Sequence, residues 1–156
     1  MKKNSVLIRR LWAAAAILMV LFIWSNSLRN ADRSTVQSDT VLTTLAPFLK
    51  DVPKDTLRLP RTLIRKAAHI TEFAALGLTL CAALSAPARR YRRAAVMALA
   101  LSVLIASSDE LIQRFIPGRS GQLSDICLDT LGAALGILLY LGTKYFLGTV
   151  GKRNAP

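Results

Sequence analysis

Cysteine, histidine and acidic residues are all scarce in this chain. Its 156 residues include two cysteines, one histidine and nine acidic residues, against 21 lysines and arginines. Cys81 and Cys127 lie inside apolar runs without a partner at metal-ligand spacing, which excludes a disulfide framework and indicates small apolar packing residues. Aromatic residues make up only 6% of the chain and do not interleave with a basic stripe, so we expect no nucleic-acid partner.

Long apolar runs are what the sequence has instead. It is 53% hydrophobic with a mean hydropathy of +0.39, which is typical of an integral membrane protein. We predict a single all-α domain over residues 1–156, a four-helix transmembrane bundle with no sheet and with helices at about 9–28, 64–85, 92–115 and 123–147. The first run is short enough for a signal-peptide core, but no clean cleavage motif follows it, so we expect an uncleaved helix.

Basic flanks between the runs predict the orientation. The net charge is +12, and the N-terminal flank, the turn at 86–93 and the C-terminal tail are basic and carry no acid. The segment 29–65 is also basic, but it is longer and diluted by aspartates. The positive-inside rule therefore predicts a multi-pass protein of the cell membrane with both termini in the cytoplasm and 29–65 outside. Within that outer segment, residues 41–49 fit either a short amphipathic surface helix or an ordered loop.

Charged and polar residues inside the apolar runs form the candidate site. In a four-helix topology they fall at one level, roughly 2–11 Å inside the outer ends of their helices at ~1.5 Å per residue. Charges at that depth are costly, and in membrane proteins they mark function. The residues are His69 and Glu72 on the second helix, Asp109, Glu110 and Gln113 on the third, and Asp125 and Asp129 on the fourth.

The fourth helix carries its acids on the face that should pack. Asp125, Asp129, Gly132 and Gly136 form one stripe, and glycines let a neighbouring helix approach closely. Asp109 and Glu110 are adjacent, about 100° apart on a helix, so the spacing does not decide which of them faces inward.

Three cations accompany these acids. Arg65, Lys66 and Arg119 are candidate ligand-binding residues together with Gln113. Five carboxylates against three cations at low dielectric need shared protons, hydrogen bonds or a bound cation. The sequence therefore leaves open whether a divalent metal ion binds here, and no other cofactor is expected. The alternative for each residue is a structural role, such as a core histidine or a snorkelling lysine.

The same stretches resemble the VanZ-like family, membrane proteins named for a glycopeptide (teicoplanin) resistance protein. The resemblance implies a role facing the outside of the membrane, near the cell envelope, and possible antibiotic resistance, without supplying a mechanism. The matching motifs are Trp24-Ser25-Asn26-Ser27, Arg65-Lys66-x-x-His69-x-x-Glu72-Phe73-x-x-Leu76-Gly77, Asp109-Glu110-x-x-Gln113-x-Phe115-x-Pro117-Gly118-Arg119, and Asp125 with Asp129-x-x-Gly132.

Three functions remain open on the sequence. The protein could bind or shield an anionic lipid-linked envelope precursor, with the cations contacting phosphate, and so lower glycopeptide susceptibility. It could be an intramembrane enzyme, with or without a bound metal ion, acting on an envelope lipid. It could be an ion- or proton-coupled transporter subunit. If it is an enzyme, the candidate catalytic residues are His69, Glu72, Asp109, Glu110, Asp125 and Asp129.

Overall fold

The computed structural model describes residues 2–28, 40, 44, 58–85, 91–117, 119 and 121–153. These ranges contain four helices and no strand, which confirms the predicted all-α, four-helix architecture. The prediction for residues 41–49 falls, except at Thr44, outside the described residues. The helices are α1 (Lys2–Ser27), α2 (Arg58–Ser85), α3 (Tyr91–Arg114) and α4 (Leu123–Arg153).

Three of the four helix ends near the predicted site agree with the sequence prediction to within one residue, whereas α2 begins earlier than predicted and the opposite ends of α1 and α4 run longer. α1 begins at Lys2 rather than 9, and α4 continues to Arg153 rather than 147. α2 begins at Arg58 rather than 64, so that Pro60 lies inside its first turn. A proline is tolerated there because first-turn N–H groups have no partner within the helix.

Each helix contains a stretch long and apolar enough to cross a membrane. The stretches are Ser5–Ser27, Leu63–Ser85, Tyr91–Arg114 and Leu123–Leu147. Many large apolar side chains point away from the bundle, including Leu18, Leu104 and Leu138. A surface of this kind is exceptional for a soluble monomer and suits contact with lipid. The chain is therefore a multi-pass membrane protein.

α2 and α4 pack backbone to backbone. A Cβ added at Gly132 would lie 2.5 Å from the carbonyl oxygen of Ile70, and one at Gly136 would overlap the backbone of Ala74. Gly77 of α2 meets the backbone of Ala133 in the same way. The small-residue stripe predicted on the fourth helix is thus its contact with α2, and it fixes the relative height of the two helices.

Two apolar layers fill the bundle. The first includes Cys81, Ala98 and Tyr140, whose hydroxyl is 2.7 Å from Ser85 Oγ. The second includes Phe73, Leu76, Ile23, Ala106 and Ala133, and it lies directly beneath the predicted site.

The two cysteines have different surroundings. Cys81 is buried in the first layer, as expected for a packing residue. Cys127 is exposed on α4, contrary to that expectation, because its position points away from the stripe that faces α2. Neither cysteine is paired in the described part of the chain.

Candidate polar site at one end of the bundle

The end of α1, the first turns of α2, the end of α3 and the start of α4 meet at one end of the bundle. Five polar residues at this end define what we call the polar cluster. Most of their side chains are fully buried, although polar groups are expected at the surface. The cluster consists of Ser27, His69, Asp109, Gln113 and Asp129.

Asp109 is the best-connected acid of the polar cluster. Its side chain is 0% exposed. Ser27 Oγ donates a hydrogen bond to Oδ1, and Gln113 Nε2 donates one to Oδ2 at 2.8 Å. Gln113 Nε2 also donates to Ser27 Oγ at 3.3 Å. The i, i+4 spacing of Asp109 and Gln113 allows this pairing, as the i, i+3 spacing would allow one between Glu110 and Gln113. α1 supplies the third member, Ser27.

His69 and Asp129 face each other without a normal hydrogen bond. His69 Nδ1 lies 3.6 Å from Asp129 Oδ1, beyond hydrogen-bond distance. Asp129 is 0% exposed, and neither of its carboxylate oxygens has a hydrogen-bond partner within the described residues. Asp109 completes the group, since one ligand atom from each of the three residues lies within 4.8 Å of the others. Three helices therefore bring two carboxylates and an imidazole to one point.

The end of α1 was missing from the predicted site residues. Asn26 Nδ2 donates to Glu72 Oε1 at 2.9 Å, and Trp24 Nε1 donates to Ser108 Oγ at 3.1 Å. Together with Ser27, these residues join α1 to α2 and α3. A signal was available, because polar residues close the first apolar run at the level of the other polar residues, and this run belongs to the motif that resembles the VanZ-like family.

Both Asp109 and Glu110 are buried, which spacing alone could not decide. Glu110 is 3% exposed and turns toward the α3–α4 connection, where the backbone N–H of Gln122 donates to its Oε2 at 2.7 Å. A Cβ at Gly121 would lie 2.5 Å from the Glu110 carbonyl oxygen. The absence of a side chain at Gly121 lets the connection fold against α3 and cover Glu110.

Arg65, Lys66 and Arg119 form what we call the basic rim. Lys66 Nζ lies 3.8 Å from Asp125 Oδ1, and both side chains are partly exposed, so this pair contributes little stability. Arg65 is exposed.

Arg119 is half-buried and lies on the connection between α3 and α4. Its backbone N–H donates to Ile116 O at 3.1 Å, which places it in a turn after α3. Its Nε is buried and has no hydrogen-bond partner in the described ranges. Burial lowers the pKa of Arg119 from its ordinary value, and the charge of Arg65 lowers it further, while Asp109 and Glu110 act in the opposite direction.

The predicted site residues thus form two groups, one at the centre of the polar cluster and one around it. His69, Asp109, Asp129 and Gln113 meet in the polar cluster. Glu72, Glu110 and Asp125 each have their own contact around it, with Asn26, Gln122 and Lys66 respectively. His69 is within electrostatic reach of Asp125, Arg65 and Arg119, so the centre and the basic rim act on one another.

Comparison with known proteins gives one result. The family model of VanZ/LLP1 matches residues 12–147, a range that contains the polar cluster and the basic rim. No curated protein and no solved structure matches the chain.

Proposed function

This chain belongs to the VanZ/LLP1 family, and from that premise we propose that its polar site binds the phosphate-bearing headgroup of an anionic membrane lipid. The observation that carries the proposal is Arg119, whose buried Nε has no partner in the described part of the chain. An arginine side chain stays protonated in proteins, and here the Nε–H of a half-buried cation has neither water nor a protein acceptor. A phosphate accepts two parallel hydrogen bonds from such a guanidinium.

Arg65 is a second cation that an anion at this position would contact. It is near enough to Arg119 for mutual repulsion to be felt, and Lys66 is its neighbour along the chain. An anion held between Arg65 and Arg119 relieves that repulsion and gains a contact from each. The carboxylates around them orient the cations, as Asp125 does for Lys66 at 3.8 Å.

Apolar side chains beside the basic rim favour a lipid over a free anion. Phe115 is 79% exposed and Leu123 is 74% exposed, and they flank the connection that carries Arg119. A ligand with a phosphate group and a long hydrocarbon chain uses both kinds of surface at once. A soluble phosphate would use only the cations.

We infer the identity of the lipid and the side of the membrane from chemistry and charge. The basic flanks favour cytoplasmic termini, which makes the polar site open to the outside. Lipids that carry envelope precursors there are polyprenyl diphosphates, which combine a long chain with strong negative charge. Holding or shielding such a precursor in the cell envelope would lower susceptibility to glycopeptides such as teicoplanin, in line with the protein for which the family is named.

The arrangement of His69, Asp109 and Asp129 favours one second candidate, an intramembrane hydrolase acting on a phosphate bond of the bound lipid. His69 Nδ1 is 3.6 Å from a buried carboxylate, so a small side-chain movement would let Asp129 orient the imidazole as a general base. In that case purified protein releases inorganic phosphate from polyprenyl diphosphate, and His69→Gln abolishes the release while lipid binding remains.

Lipid binding is tested by native mass spectrometry of the detergent-purified protein. Phosphatidylglycerol, polyprenyl diphosphate and the net-neutral phosphatidylcholine serve as probes. A lost charged hydrogen bond of about 1.5–3 kcal/mol weakens binding about 10- to 150-fold. Arg119→Ala should therefore lose the anionic lipids, with little change for phosphatidylcholine.

The matched control is Arg114→Ala. Arg114 is a cation in the last turn of α3 and is exposed, so its removal changes net charge without touching the proposed contact. The proposal is wrong if Arg114→Ala and Arg119→Ala lose anionic lipid equally, or if neither does. Competition with inorganic phosphate distinguishes a lipid site from a site for free phosphate. At a lipid site, inorganic phosphate should displace polyprenyl diphosphate only weakly.

A further inference from the structure

We propose that His69, Asp109 and Asp129 form a binding site for a divalent first-row transition metal ion. The inference goes beyond lipid binding and does not depend on it. α2, α3 and α4 contribute one ligand each, and the three ligand atoms lie within 4.8 Å of one another. One imidazole and two carboxylates are a donor set that such ions accept.

Asp129 is the observation that points to a ligand. It is fully buried, both of its oxygens lack a hydrogen-bond partner within the described residues, and it faces His69 Nδ1. A buried carboxylate in this condition is costly unless something neutralises it. The imidazole at 3.6 Å is too far to do so by a hydrogen bond.

The spacing suits an ion between the ligands. Metal–ligand distances of about 2.0–2.2 Å hold neighbouring ligand atoms roughly 3.0–3.6 Å apart. The separation of His69 Nδ1 and Asp129 Oδ1, 3.6 Å, is at the upper end of that range. The widest separation, up to 4.8 Å, needs to close by only about 1 Å, within the reach of a side-chain rotation.

Asp109 already has the surroundings of a metal ligand. Ser27 and Gln113 each donate a hydrogen bond to one of its oxygens, which fixes the orientation of the carboxylate. Ligating carboxylates are typically held in this way by neighbouring donors. Each carboxylate oxygen has a second lone pair, so Asp109 can keep both hydrogen bonds and still bind an ion.

The balance of charges at this end of the bundle is a further reason to expect a bound metal ion. With neutral His69, the required state of a ligating imidazole, five acids face the three cations of the basic rim. A divalent ion supplies the missing positive charge. The acids are Glu72, Asp109, Glu110, Asp125 and Asp129.

The donor set also selects the ion. Calcium takes oxygen ligands, so the imidazole nitrogen of His69 disfavours it. An imidazole nitrogen with two carboxylates suits Zn²⁺ or Mn²⁺. Three protein ligands leave further coordination positions for water or for an oxygen of a bound anion.

The test measures binding of Mn²⁺ and Zn²⁺ to chelator-treated protein in detergent, by electron paramagnetic resonance of free Mn²⁺ and by elemental analysis for zinc. Wild type should bind one ion per chain. Asp129→Asn and His69→Gln should weaken binding about 100-fold or more. Asp125→Asn is the matched control, because Asp125 lies one turn earlier on α4, is partly exposed and pairs with Lys66 instead.

Two results would overturn the inference: no saturable binding to wild type, or equal binding to wild type, Asp129→Asn and His69→Gln. If Asp129→Asn does not fold, His69→Gln alone decides, because the His69 side chain is 22% exposed and its loss leaves no cavity sealed in the core. Arg119→Ala should keep the metal and lose the lipid, so that failure of one proposal is distinguishable from failure of the other.

Discussion

Replacing Gly136 with alanine should destabilise the bundle, although alanine favours helix more than glycine does. The new Cβ would lie 2.6 Å from the carbonyl carbon of Ala74 and 2.9 Å from its Cα. These are backbone atoms of α2, which cannot rotate away as a side chain can. The two helices must therefore separate along the contact that also sets the heights of His69 and Asp129.

The magnitude follows from two opposing effects. Overpacking a tight contact costs about 1–3 kcal/mol, and a backbone clash belongs at the upper end of that range. Alanine gains about 1 kcal/mol over glycine from helix propensity. We expect a net loss of about 2 kcal/mol in the free energy of unfolding for Gly136→Ala.

Gly142 supplies the matched control on the same helix. A Cβ added there meets nothing within 4 Å, so Gly142→Ala should gain up to about 1 kcal/mol from helix propensity alone. Unfolding by sodium dodecyl sulfate titration, followed by circular dichroism and tryptophan fluorescence, measures both variants against wild type. Equal stability of Gly136→Ala and Gly142→Ala would refute the close packing of α2 on α4.

Two further predictions concern the polar cluster and the orientation. Ser27→Ala leaves buried Asp109 without one hydrogen-bond donor and should lower the free energy of unfolding by about 1–3 kcal/mol. Ser25→Ala, at an exposed site, should change the free energy of unfolding little. Equal losses in the two variants would contradict the role of Ser27. In a cysteine-free background, a membrane-impermeant maleimide added to intact cells should label Asp51→Cys but not Tyr91→Cys. The reverse labelling pattern would put the polar site on the cytoplasmic side.

Three of the four helices were predictable because membrane-spanning segments need about 20 apolar residues, and three runs approach that length. The first run is shorter, and it was predicted as a helix because no clean cleavage motif follows it. The residues at which α1 and α2 begin were not predictable from hydropathy, because an apolar run stops where charged residues begin while the helical backbone continues. Pro60 illustrates the difference, since it punctuates the sequence and yet lies in the first turn of α2.

The sequence predicted the depth at which the site residues lie along their helices, but not the contacts that their side chains make. Helical spacing allowed either Asp109 or Glu110 to pair with Gln113, and it set Asp129 on one stripe with Gly132 and Gly136. It could not show that Glu110 is also buried, because that depends on the α3–α4 connection folding over it through Gly121. It also missed Ser27, since serine at the end of an apolar run is a weak signal until the helices are assembled.

Direct contact between Arg119 and a lipid phosphate is the central claim, and ¹⁵N–³¹P dipolar recoupling by solid-state NMR measures it. The protein, labelled with ¹⁵N-arginine, is reconstituted with polyprenyl diphosphate in phosphatidylcholine. A guanidinium bound to phosphate with N···O near 2.8 Å brings nitrogen and phosphorus within about 4 Å, which gives strong dephasing. We predict a dephased guanidinium signal that falls in Arg119→Lys to the contribution of Arg65 and is unchanged in Arg114→Lys. Identical dephasing in all three proteins, or none in wild type, would contradict the account.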